Sequence, residues 1–142
     1  MYYYSLFISI FLATTSCYVS AGEIVRVSPT TRQMVPSGKS MDAIDGDYIM
    51  KNDLVVAVIG DAVAGREANM RVQCVQGAVI DFTSLKDNND YLAAFYPHGY
   101  PAEDSRRNPA KLADRIEIVE GSGSAIVLRA TRKINDRYPY EM

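Results

Sequence analysis

The chain has 142 residues, and 15 Lys and Arg stand against 17 Asp and Glu for a formal net charge of −2. That length supports one domain with a modest core rather than two. With no basic excess, the composition argues against nucleic acid or an anionic membrane surface as a partner.

The first charged side chain is Glu23. Residues 6–13, LFISIFLA, form a compact apolar core, shorter than the roughly 20 residues that span a bilayer. Val19-Ser20-Ala21 follows as a peptidase-type site. The pattern predicts a signal peptide over residues 1–21, export to the periplasm or beyond, and no integral membrane segment after cleavage. The extreme N-terminus carries no Lys or Arg, so two other readings stay open. One is a buried apolar N-terminal element; the other is a lipoprotein anchored at Cys17, against which the preceding Thr14-Thr15-Ser16 speaks. Loss of Cys17 leaves Cys74 alone, so no internal disulfide forms. The setting of Cys74, between Val72 and Val75, fits a small buried hydrophobe better than a reactive thiol.

Along residues 22–142 the expected elements are short strands. Residues 23–27 make the first, and 28–43, punctuated by Pro29, Pro36 and Gly38, a loop. Asp45-Gly46-Asp47 is a turn. Residues 47–51 and 54–59 form a hairpin around Asn52-Asp53, and the apolar run LVVAVI fits a strand buried on both faces. Residues 60–65 are a loop. Residues 68–75 and 78–83 read as antiparallel partners across Gln76-Gly77. Residues 90–96 suggest a helical turn with Tyr91, Leu92 and Phe95 near one face. Residues 97–109 are irregular. Residues 115–120 and 124–132 form a second hairpin around Gly121-Ser122-Gly123. Tyr138-Pro139-Tyr140 begins a further strand, which predicts an open sheet edge against which another domain or protein packs. The expected fold is all-β, an antiparallel β-sandwich-like domain, incomplete at its C-terminal edge.

Few residues carry chemistry. His98 is the only histidine, and without His-x-His or a cysteine pair a zinc site has no framework. Asp42, Asp45 and Asp47 cluster closely enough to be calcium candidates, although the spacing is not that of an EF-hand and a solvated turn explains it as well. Asp87, Asp90, Glu103 and Asp104 offer carboxylates for a small hydrolase or simply solvated loops. Gly60 to Gly65 lacks the Gly-Lys-Ser/Thr of a phosphate loop. No Gly-x-Ser-x-Gly elbow occurs. Tyr91, Tyr96, His98 and Tyr100 are candidate ligand-binding residues, able to stack on a sugar or to plug the end of a sandwich.

Two blocks carry a resemblance. The first is Asp45-Gly46-Asp47-Tyr48 with Asn52-Asp53 and the run to Gly60. The second is Ala68-Asn69-Met70-Arg71-Val72 with Gln76-Gly77-Ala78-Val79-Ile80-Asp81. Over residues 39–140 the chain resembles the N-terminal β-rich region of large exported bacterial proteins. Some of these carry a PHP-type (polymerase and histidinol phosphatase) metallohydrolase domain further along. The resemblance implies an accessory domain, with any metal-binding histidines beyond Met142; no residue here matches them. The function expected is therefore that of an exported, non-catalytic interaction module without a cofactor, the front part of a larger architecture. The alternatives are a carbohydrate- or calcium-binding module and a small hydrolase.

Overall fold

The structure, a computed structural model, describes residues 21–63, 65–68, 72–97, 113–133 and 139–141. Residues 1–20 of the expected signal peptide, with Cys17, and the candidate residues His98, Tyr100, Glu103 and Asp104 lie outside the described residues. In chain order the strands are β1 (Gly22–Arg26), β2 (Tyr48–Lys51), β3 (Val55–Ile59), β4 (Glu67–Ala68), β5 (Val72–Gln73), β6 (Val79–Ser84), β7 (Arg115–Glu120), β8 (Ser122–Gly123), β9 (Val127–Lys133) and β10 (Pro139–Glu141). A single 3₁₀ turn, Arg32–Met34, is the one helical piece among the described residues. The protein is all-β and antiparallel. A five-stranded sheet runs β6-β3-β2-β1-β8, a three-stranded sheet runs β10-β9-β7, and β4 and β5 pair alone.

The apolar run of β3 explains the architecture, because both of its parities are hydrophobic and both faces of the sheet are covered. Val56 and Val58 point into one core with Ile49, Val75 and Ile80. Ala57 and Ile59 point to the other side, where Ile24, Tyr48, Ile116 and Ala130 form a second core. The first core is roofed by irregular chain: Val27, Val35 and Ala43 come from the segment between β1 and β2. The second is roofed by the β7–β9 hairpin. The two larger sheets thus face one another across the second core as a sandwich that does not close. Each fully buried Val or Ile contributes about 1.5–3 kcal/mol relative to exposure.

Both expected hairpins are present, β2–β3 with Lys51 opposite Val56 and β7–β9 with Ile116 opposite Ala130. The first reversal centres one residue later than expected, on Asp53-Leu54. The Asn52 side chain causes the shift: its Oδ1 accepts the N–H groups of Leu54 and Val55, both at 2.9 Å, as Asn side chains do in turns.

Two expectations fail. Residues 68–75 are not one strand paired with 78–83. β4 and β5 pair with each other, and Cys74 has a φ of 59°, a left-handed conformation that ends a strand. β6 pairs instead with β3, Val56 opposite Thr83. Gly60 clasps the entry to β6 by donating to Ala78 O at 3.0 Å and accepting from Gly77 N at 2.8 Å. A Cβ at Gly60 would lie 2.4 Å from the Val75 carbonyl oxygen, so only glycine permits this approach. Residues 90–96 also form no helical turn. They run back along β6, and Val79 and Phe95 exchange backbone hydrogen bonds of 2.8 Å. The physical reason is Asp90, whose carboxylate holds the start of this segment against Phe82 N.

Candidate functional site

An apolar groove opens between the five-stranded sheet and the β7–β9 hairpin. Alternation along the strands builds its floor: Met50, Ala57, Ile59 and Val79 share one face of the sheet. Ile126 and Leu128 form the opposite wall. Two adjoining cavities of about 300 and 240 Å³ share Met50, Ile59 and Val79. Across the strands, Ile24 stands opposite Met50, Met50 opposite Ala57, and Ala57 opposite Phe82. This apolar row ends at Phe82, which is 48% exposed at the sheet margin. Cavities of this size suit a few apolar side chains or a small apolar ligand.

One end of the second core is closed by a polar lock. Tyr48 donates its hydroxyl proton to the Ile116 carbonyl at 3.0 Å, tying sheet to hairpin. The Arg26 guanidinium lies 3.8 Å from the Tyr48 ring centroid, bonds the Tyr48 oxygen and pairs with Asp61 at 2.7 Å. Burial raises the Tyr48 pKa, the Asp61 charge adds to this and Arg26 opposes it, so the phenol stays a proton donor.

The acidic residues of the turn take up separate positions. Asp47 is buried, and its oxygens accept from Ile44 N at 2.9 Å, Asp61 N at 2.9 Å and Arg66 Nη2 at 2.9 Å. Asp45 is exposed and pairs with Arg32 at 3.1 Å. Asp42 meets Asp81 through its backbone N–H at 2.7 Å, and its carbonyl accepts from Arg66. The turn thus buries the carboxylate of Asp47 and leaves that of Asp45 at the surface. Among the described residues no three His, Cys, Asp or Glu side chains converge as a metal site. Asp90, expected in a solvated loop, is fully buried instead. Its Oδ1 takes the N–H groups of Phe82 and Leu92 at 2.8 and 3.1 Å.

The aromatic candidates also separate. Tyr91 is 76% exposed, and its hydroxyl accepts from Asn89 at 2.6 Å. Tyr96 is half-buried and packs on the first core. Sequence reasoning missed the groove residues, because they are apolar positions on separate strands. The available signal was the second parity of β3, Ala57 and Ile59, which required a cover of its own. It also missed Asp81, whose pKa is pushed up to about 7, first by burial. No family model, no curated protein and no solved structure matches this chain.

Proposed function

We propose that the protein is an exported, non-catalytic interaction module that takes apolar side chains of a partner protein into the groove between the five-stranded sheet and the β7–β9 hairpin. The observation that carries this reading is the unclosed apolar floor of Met50, Ala57, Ile59 and Val79, continued to an exposed Phe82. An exposed apolar stretch of this kind on a small domain marks a contact surface. The buried aspartates lend support from the other side: Asp47, Asp81 and Asp90 turn carboxylate oxygens to backbone N–H groups inside the fold, as structural residues do. The resemblance to accessory regions of larger exported proteins points the same way and supports a place within such an architecture. Export itself rests on the apolar segment at 6–13 and the small residues at 19–21.

The test is a photo-crosslinking amino acid at position 126, with a control at exposed Lys39, in cells that produce the full chain. One protein species is captured from the groove position and not from the control. That protein, purified, binds the full chain, and Phe82→Asp weakens binding about tenfold, about 1.4 kcal/mol. Equal capture at both positions, or binding indifferent to Phe82→Asp, overturns the reading.

A further inference from the structure

Sheet and hairpin are joined along one side only. β8 pairs with β1, Gly22 opposite Gly123 and Glu23 opposite Ser122, and Tyr48 reaches Ile116 of β7. In strand order this junction lies at the β1 end of one sheet and the β7 end of the other, so the two sheets part toward β6 and β9. β10 covers only part of β9. It pairs with Thr131, Arg132 and Lys133, and among the described residues no strand lies along residues 127–130 on that side. The ladder fixes which backbone groups look out there. Thr131 O accepts from Asp114 N on the β7 side at 2.8 Å. Ile116, opposite Ala130, turns its carbonyl away to Tyr48. By the alternation of an antiparallel pair, Arg129 and Thr131 face β7, while Leu128 and Ala130 direct N–H and C=O to the uncovered side. The side chains agree with the backbone. Ile126 lines the first cavity, and Leu128 and Ala130 line the second with Met50, Ile59 and Val79. Alternate residues of β9 thus border successive cavities. Across the opening stand two exposed aromatics, Phe82 opposite Ala57 and Phe95 opposite Val79.

We infer that the occupant of the groove is an extended strand of the partner protein, added antiparallel to β9 in line with β10. The strand presupposes the partner-binding groove proposed above and specifies what enters it: a segment of alternating apolar and polar residues. Each apolar residue opposite Leu128 or Ala130 exchanges backbone hydrogen bonds with β9. Its side chain shares their face and comes down toward Met50, Ile59 and Val79, because side chains opposite one another in a ladder share a face. The residues between turn outward beside Arg129, which is exposed and paired with Glu117, so polar side chains suit those positions. β9 is antiparallel to both β7 and β10, and the added strand extends the same pairing. Addition at an edge draws affinity from the main chain and selectivity from alternate side chains. An amphipathic helix would fill the cavities but leave the Leu128 N–H and C=O without partners from the ligand, since a helix satisfies its own backbone.

The probes are acetylated heptapeptides that alternate Thr with one apolar residue, Val, Ile, Leu or Phe, added to the full chain. Amide hydrogen exchange is read at Leu128 and at Arg129, whose N–H faces β7. In the free chain Leu128 exchanges about tenfold faster than Arg129 or more. A saturating peptide slows Leu128 about tenfold and leaves Arg129 unchanged. N-methylation of the peptide's apolar residues removes the bonds to β9 and keeps every side chain. It weakens binding about tenfold, the net worth of one or two hydrogen bonds, whereas N-methylation of the Thr residues does not. Equal loss from both methylations, or no loss from either, overturns the inference. A Leu128 amide already as protected as Arg129 in the free chain does so too, because the edge is then occupied by the chain itself. Failure of every peptide to bind at about 1 mM also overturns it. In each case capture at position 126 remains the separate test of the groove as a partner site.

Discussion

The two faces of the five-stranded sheet are covered in opposite ways. One lies under irregular chain, and there the cover is pinned by buried carboxylates: Asp47 to residues 44, 61 and 66, Asp81 to residues 42 and 43, and Asp90 to residues 82 and 92. The other lies under a regular hairpin, held by apolar contact, by one hydroxyl, Tyr48 to Ile116, and at its tip by the backbone pairing of β8 with β1. Irregular backbone presents N–H groups that no neighbouring strand satisfies, so something on the sheet must accept from them. The strands of a hairpin satisfy one another's backbone, so away from its tip this cover meets the sheet mainly through apolar contact, which leaves room for a groove. In this molecule, polar burial accompanies closure and apolar packing accompanies opening.

The contrast can be broken most strongly at Asp47. Asp47→Ala leaves Arg66 buried without its carboxylate and strips two backbone donors, so a loss of about 3–5 kcal/mol in chemical denaturation is expected. Asp45→Ala, two residues away on an exposed ion pair, costs at most about 1 kcal/mol. Comparable losses for the two would erase the distinction between pinned turn and solvated surface. The next largest effect separates the cores. Ile49→Ala, fully buried on the closed face, costs about 2–5 kcal/mol, and Met50→Ala, its neighbour on the groove face, less than half as much. Equal values would mean that the groove is as tightly packed as the core behind it. The most local effect is expected at Gly38, whose φ of 133° and close approach to Asp90 N and O leave no space for a Cβ. Gly38→Ala costs upwards of about 1 kcal/mol, measured by the same denaturation, with increased amide exchange confined to residues 37–43. A neutral result would show that this segment adapts without leaving the sheet.

The fold class was legible because strand chemistry is local. The run from Leu54 to Ile59 has two apolar parities, and the structure covers both. The hairpin around Gly121-Ser122-Gly123 was marked by its glycines and by β-branched neighbours. What escaped was long-range. Cys74 adopts a left-handed conformation, which is uncommon outside glycine, and no letter announces that β5 ends there, ahead of the turn at Gln76-Gly77. Asp90 sits in a polar run, Asp87-Asn88-Asn89-Asp90, that reads as solvated. Its burial comes from the amide of Phe82, which local patterning does not bring to it. Asp81 breaks the alternation of its strand because of a bulge defined by pairing with β3. The groove is a property of four strands and a hairpin together, so no single stretch of sequence displays it.

The return of residues 88–95 along β6 has one more consequence. The margin of a sheet normally offers a row of vacant donors and acceptors to any extended chain that drifts past. Here Val79 exchanges both of its backbone bonds with Phe95, Phe82 N is taken by Asp90, and Ser84 O accepts from Asn88 N at 2.9 Å. The chain has sealed this border with its own thread. Extended polypeptide finds no foothold there, so a fibril that grows by adding strands cannot start from that side without first unpicking the seam.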